Sequence, residues 1–359
     1  MKLKATLLLI ELSLLSFQNN AFIPELVTVS IGQKQTLRLD ATTLYNTKNL
    51  ALSVDVKKLY NRAEELIETE VGDFEDVAGV NYASNCARKD RQIRMTVIFL
   101  LGEILDADEN KLESLALTTE MAHIASVLYD NANYQHQGKT KKNHIHNEHI
   151  QSFHTAGGDF MMAKAILKLH SIKNHYVEIC MKNAMSCMKE NKHLISDLEG
   201  SNIASYSHET YCKTAALFMQ SCMAVYYCCS KNKMTGITSK LHAVSSFGYH
   251  FGMCLQITND LHQFLNGHDI KRGKVTAPLL YTHRSQTRNS VQEMFYEDRY
   301  KFKNNIIAEA KVHKGIFKTR ELAKSHLNDA LDSLLTLEDS VYKDKLLKIT
   351  NEIPDAKRM

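Results

Sequence analysis

No proline occurs between residue 25 and residue 277. Proline lacks a backbone N–H and fixes φ, so it breaks helix interiors and punctuates loops. A chain that runs this far without it, and with sparse glycine, is constrained to stacked helices joined by short turns. The three prolines, Pro24, Pro278 and Pro354, lie at the borders of that run or beyond it. From Ala51 onward the apolar spacing is helical, with neither strand-period alternation nor an internal repeat. The 359 residues, 44% of them hydrophobic, suffice for one large domain with a substantial core, or two small ones. The expectation is an all-α domain over residues 51–359, with helices buried on several faces.

Val54, Val56, Leu59 and Tyr60 open a first helix that Ala63, Leu66 and Ile67 extend. Met95 to Leu105 is apolar enough for a buried helix, and Leu112 to Leu128 keeps the helical period. Asn131 to His154 is polar and histidine-rich, which predicts a loop plus a short helix. Apolar faces return over Asp159–His170, Tyr176–Met188, Tyr211–Cys229 and His242–Leu265, the last ending at Asn266-Gly267, a natural helix stop. Two or three more helices are expected after Pro278.

A net charge of +4 does not point to nucleic acid, which calls for a clustered basic face. The eight cysteines form no CxxC pair and lie mostly in apolar runs, as buried reduced thiols do. Residues 1–50 stand apart. A basic start, Met1 to Lys4, precedes a mostly apolar run from Ala5 to Phe17 that Glu11 interrupts. This reads as a leader or transit-like arm, with an ordinary first helix as the alternative. The run is too short and too flawed for a membrane span, and no other segment reads as transmembrane.

Five stretches carry chemistry. They are Glu120-Met-Ala-His123-Ile-Ala-Ser126-Val-Leu-Tyr-Asp130-Asn131, then Gly157-Gly158-Asp159-Phe160 with Ala163 and Ala165, then Tyr211-Cys-Lys213-Thr214-Ala-Ala-Leu217. Phe251-Gly252-Met-Cys-Leu-Gln256-Ile-Thr-Asn259-Asp260 follows, and last Asp269-Ile-Lys271-Arg-Gly273-Lys274-Val-Thr276-Ala-Pro278. In this order they resemble the all-trans polyprenyl diphosphate synthases, from about Leu50 to the C-terminus. Each is weak alone; the ordered set is specific. The resemblance implies a single antiparallel helical bundle of the isoprenoid synthase type around a deep central pocket. The Gly157-Gly158 pair would start a helix. The implied substrates are isopentenyl diphosphate and an allylic prenyl diphosphate, with Mg²⁺ as cofactor.

In that family an allylic diphosphate ionises, and the carbocation is attacked by the alkene of isopentenyl diphosphate. Magnesium takes up the leaving-group charge and prefers carboxylate oxygens, which two DDxxD helices supply. Here the first motif reads Asp130-Asn131-Ala132-Asn133-Tyr134 and the second Asn259-Asp260-Leu261-His262-Gln263. Only Asp130 and Asp260 remain as aspartates, the candidate catalytic residues. Asn131 and Asn259 bring neutral oxygens beside them in a weakened metal set. Loss of one preorganised electrostatic group costs about 10²–10³ in rate, so this erosion predicts near loss of metal-dependent ionisation.

By the same resemblance Arg91, Arg94, His123, Lys213, Thr214, Gln256 and Lys274 match diphosphate contacts. The arginine pair that follows the first motif in the family is absent; Gln137-Gly138-Lys139 stands there. Asp260 to Asp269 is shorter than usual. Ala125 and Ser126, just before the first motif, are small and leave room for a long prenyl tail. For each of these, a packing, capping or surface role is the plain alternative. The histidines His136, His144, His146, His149 and His154 lack a metal-binding frame and read as a solvated loop. Asn259-Asp260 also starts the second motif of terpene cyclases, but Gln263 and Gly267 stand where that motif needs serine and glutamate. Three functions remain. One is a non-catalytic or weakly catalytic subunit, resembling the degenerate second subunit of decaprenyl or solanesyl diphosphate synthases, that pairs with an active synthase in quinone side-chain synthesis. The others are a divergent active synthase, homo-oligomeric, and a scaffold protein on the same fold. The leader implies a mitochondrion or plastid.

Overall fold

The computed structural model describes residues 65, 69, 93–133, 141–190, 198–229, 239–283 and 288–353. The helix expected from Ala51, apart from Glu65 and Thr69, and the arm over 1–50, Arg91 and the 137–139 stretch lie outside them. The described residues are helical apart from turns and one isolated antiparallel bridge, Ala107 to Cys229. In chain order the helices are α1 (93–105), α2 (Glu109–Asn133), α3 (Lys141–Ser171), α4 (His175–Glu190) and α5 (Ile203–Thr210). A five-residue π-helical turn, Tyr211–Ala215, joins α5 to α6 (Ala216–Tyr227). Then come α7 (Ser239–Leu265), α8 (His268–Arg272), α9 (Ala277–His283), α10 (Arg288–Asp298), α11 (Lys303–Val312), α12 (Gly315–Leu335) and α13 (Val341–Asn351).

Local chemistry sets several boundaries. Asp108 Oδ1 accepts from the Lys111 N–H at 3.0 Å at the start of α2. The Asn174 side chain accepts from the Tyr176 and Val177 N–H groups and donates to the Tyr227 carbonyl. It thereby caps α4 and ties it to the end of α6. Asn202 and Ser205 exchange the bonds of a capping box at α5. Gly267, at φ 72°, ends α7 in the left-handed conformation that glycine adopts without strain. Pro278 is the second residue of α9, where no backbone N–H is needed.

Cross-helix bonds give the directions. Ser114 meets Ser171, Thr118 meets the Ala165 carbonyl, and Tyr129 meets Asp159, so α2 and α3 are antiparallel. Thr119 meets Ser221 and Asp130 meets Lys213, so α2 opposes the α6 arm as well. Thr214 meets Gln256, Ala215 meets Gly252 and Met219 meets Gly248 on α7, and Ser246 and His250 meet Ser333 and His326 on α12, both antiparallel. Two apolar clusters fill the bundle. One holds Met95, Leu115, Phe247 and Phe251, the other Ile257, Phe264, Leu280 and Ile306. Helix α7 runs through both and carries Asp260 near its C-terminal end.

Three expectations need correction. Residues 141–154 are not a loop with a short helix but the start of the 31-residue α3. Gly157 and Gly158 lie inside that helix rather than at its start. A Cβ on Gly158 would stand 2.7 Å from the Tyr129 ring, so the glycine makes room for an aromatic on α2. Finally, among the described residues four helices follow α9, not two or three. All seven cysteines among the described residues are free, five of them buried.

Candidate functional site

The ends of α2 and α7, the π-helical turn and the stretch after α8 converge on Asp260. Its carboxylate is 4% exposed and accepts three hydrogen bonds. Lys274 Nζ donates to Oδ1 at 2.7 Å and Gln256 Nε2 donates to the same oxygen at 2.9 Å. The Tyr206 hydroxyl donates to Oδ2 at 2.9 Å. Gln256 is oriented in turn by Thr214, whose hydroxyl donates to Oε1 at 2.6 Å. Thr214 and Lys213 lie in the π-helical turn, a local widening that re-aims side chains and is frequent at functional sites.

The second aspartate, Asp130, is 45% exposed and lies 3.6 Å from Lys213 Nζ. Glu209, one turn before Lys213, interacts electrostatically with both pairs. Burial raises its carboxyl pKa, while Lys274 and Lys213 oppose the rise. Burial alone would lower the Lys274 pKa, but Asp260, Asp269 and Glu209 outweigh it and hold the ammonium well above its usual range. Tyr206 is pushed well above the phenol range by burial and by Asp260, so it stays a donor. The result is an internally neutralised network in which ammonium groups occupy the faces of the carboxylates.

Asp269 is 4% exposed, and its Oδ1 is 4.0 Å from Lys274 Nζ. Burial raises its pKa from 3.8 to about 6, with Lys274 pulling the other way. A folded-state pKa above the unfolded one means that its stabilising contribution is complete below about pH 3.8 and is lost as pH rises through about 6. The Asp269→Asn variant, which does not titrate there, is therefore expected to gain stability relative to the parent between pH 4 and pH 7. The gain should approach about 3 kcal/mol. Denaturant midpoints at both pH values check it; a constant difference would show that Asp269 ionises without penalty.

The deeper candidates are differently placed. Arg94 is buried, 3.9 Å from Glu120 and 5.7 Å from the centroid of the Phe218 ring. It is held by the protein's own carboxylate and aromatic face. His123 is driven well below the ordinary histidine pKa by burial, then by Arg94 and Lys213, and is neutral. Ala125 is fully buried and Ser126 partly so. Asn259, next to Asp260, is partly exposed. The structure thus brings together Asp130, Lys213, Thr214, Gln256, Asp260 and Lys274, while Arg94 pairs with Glu120. Tyr206 and Glu209 were not singled out in the sequence. Their spacing to Lys213, seven and four residues, put all three on one helix face and was the available signal.

Magnesium needs several oxygen ligands at about 2.0–2.1 Å. Asp260 does not fit that role as built. It is buried, one oxygen accepts two bonds and the other one, and an ammonium group stands 2.7 Å away. Asp130 is exposed but paired with Lys213. The described residues do not make a two-sided carboxylate clamp.

The polyprenyl synthetase family profile matches residues 78–311. The decaprenyl-diphosphate synthase of Dictyostelium discoideum is 27% identical over 281 residues, which span 73% of this chain but 59% of that protein. The mitochondrial solanesyl-diphosphate synthase 1 of Oryza sativa is 26% identical over 327 residues, 81% of this chain and 73% of that one. Component 2 of the heptaprenyl diphosphate synthase of Bacillus subtilis is 25% identical over 283 residues, 73% and 78% of the two chains. In fold, the chain is similar to a Caulobacter crescentus polyprenyl synthase solved with calcium and isoprenyl diphosphate. That similarity has a TM-score of 0.68 at 18% identity and covers 83% of this chain and 97% of that one.

Proposed function

Because the chain belongs to the polyprenyl synthetase family, we propose that it is a non-catalytic or weakly catalytic subunit of a heteromeric polyprenyl diphosphate synthase serving quinone side-chain synthesis. The observation that carries this reading is the closed hydrogen-bond set around Asp260. A carboxylate neutralised by Lys274 offers little to a metal-bound diphosphate. The magnesium chemistry then belongs to an intact partner, and this chain contributes helical surface and a prenyl-accommodating interior lined near Ala125 and Ser126. The similarity to a protein named as one component of a heptaprenyl diphosphate synthase supports a two-component arrangement. Isopentenyl and allylic prenyl diphosphates are the substrate class of the complex. A mitochondrial or plastid site fits the leader-like residues 1–50, with 51–359 as the helical domain. No helix among the described residues is long and apolar enough to cross a membrane.

The test is co-expression with a homologue that retains both DDxxD motifs, followed by incorporation of labelled isopentenyl diphosphate onto farnesyl diphosphate with Mg²⁺. Little product is expected from the lone chain, and turnover is expected from the co-purified pair. Robust turnover by the lone chain, abolished in Asp130→Ala or Asp260→Ala, would establish instead a divergent active synthase. If neither the chain nor any complex binds farnesyl diphosphate, the fold serves as a scaffold.

A further inference from the structure

Away from the Asp260 network, the seam between α7 and α12 gathers three metal-ligating side chains. His250 projects from α7, and His326 and Asp329 from α12. The two histidine Nδ1 atoms are 2.9 Å apart, and His250 Nδ1 is 3.5 Å from Asp329 Oδ2. The three donor atoms all lie within 4.8 Å of one another. We propose that His250, His326 and Asp329 form a binding site for a late first-row divalent cation, Zn²⁺ above all, that clips α7 to α12.

The geometry carries the proposal. Zinc binds imidazole nitrogen at about 2.0–2.1 Å and carboxylate oxygen at about 2.0–2.2 Å in tetrahedral sites, so neighbouring ligand atoms stand about 3.4 Å apart. The 2.9 and 3.5 Å separations bracket that spacing. His326 and Asp329 are three residues apart on one helix and share a face. His250 faces them from an antiparallel neighbour, so the site joins two elements. The rings present the same nitrogen, Nδ1, toward each other. Two neutral rings in the Nε2–H tautomer would point both lone pairs at a shared cation. The Asp329 side chain is 50% exposed and His250 22%, so solvent reaches the fourth position and the ion has a path in. Imidazole with one carboxylate suits zinc, and not magnesium, which takes oxygen ligands. The edges of the site are also fixed. Tyr249 packs edge-on against both rings, and Ser246 and Ser333 bond across the same seam at 2.8 Å.

The site is separate from substrate chemistry. His250 precedes Asp260 by ten residues on α7, about 15 Å along the helix. A cation there braces the helix that carries Asp260 without touching it.

The experiment uses the full chain after chelator treatment and dialysis, titrated with Co²⁺ as a spectroscopic stand-in for Zn²⁺. One equivalent should develop visible d–d bands of a tetrahedral nitrogen and oxygen site, without the near-ultraviolet charge transfer of thiolate ligation. Zn²⁺ should displace it and raise the melting temperature. His326→Gln and His250→Gln should each abolish the bands, and Asp329→Asn, a largely exposed change, should weaken Co²⁺ binding about tenfold or more. A His144→Gln/His146→Gln/His149→Gln variant should bind as the parent does. The proposal is overturned if the parent shows no tetrahedral Co²⁺ spectrum, or if the spectrum survives His326→Gln and disappears in the triple variant. Should His250→Gln or His326→Gln fail to fold, an unchanged Co²⁺ affinity in Asp329→Asn overturns it equally.

Discussion

Replacing Lys274 with methionine is expected to cost about 3 kcal/mol of folding stability, and replacing Asp260 with asparagine in the same chain should restore most of it. Removing one partner of a buried ion pair leaves an uncompensated charge, at a cost of about 3–5 kcal/mol. The lower end applies because 29% of the Lys274 side chain remains exposed, while Asp260 is at 4%. Without Lys274 the carboxylate keeps only Gln256 and Tyr206 as donors. With asparagine at 260 the charge that Lys274 contacts most closely is gone, and the remainder of the loss reflects Asp269, 4.0 Å from the ammonium. Urea unfolding of the parent, both single variants and the double variant gives the coupling energy directly. Additive single effects would mean that Lys274 does not neutralise Asp260, and the argument against a metal at that carboxylate would fall with it.

A comparable loss is expected from Gly252→Leu. A Cβ at 252 would stand 2.6 Å from Ala215 Cα, and one at Gly248 would stand 2.8 Å from both Met219 Cα and the Phe218 carbonyl oxygen. These are backbone atoms, which cannot rotate away. The two glycines, four apart, form the notch in which α6 and the π-helical turn lie against α7. Overpacking typically costs about 1–3 kcal/mol and occasionally more, and leucine at a backbone contact belongs at or above the top of that range. The smaller Gly252→Ala should shift the turn that holds Lys213 and Thr214. It should therefore loosen the Thr214–Gln256 bond as well as lower the melting temperature. Thermal melts followed by circular dichroism check the stability; a parent-like melt for Gly252→Leu would contradict the close approach.

The helices were legible because their signals are local. Met95 to Leu105 and Leu112 to Leu128 have the apolar spacing of buried helices, and both are helical. Gly267 ends α7 as its dipeptide announced. Where local signals mislead, tertiary contacts explain the difference. Residues 141–154 look like a loop because they are polar, yet they extend α3, which continues into the segment that packs along α2. Gly158 looks like a helix boundary, yet it is an interior residue making room for Tyr129. Nothing in Tyr211-Cys-Lys213-Thr214-Ala announces a π-helical turn, which in the fold lies against α7 where Ala215 meets Gly252.

For the site, the sequence by itself determined which groups are present. It specified an all-α chain, the two remaining aspartates, and asparagine and tyrosine where further carboxylates would stand. Those are matters of covalent identity and periodicity. Only the tertiary structure decided what the aspartates do. Asp130 and Asp260 are equivalent on paper, but one is exposed beside Lys213 and the other is buried and accepts bonds from Lys274, Gln256 and Tyr206. The physical reason is that a carboxylate's chemistry depends on its solvation and on the donors that reach it. Gln256 lies one turn away on α7 itself, but Tyr206 and Lys274 come from α5 and the stretch after α8 and reach Asp260 only through helix packing.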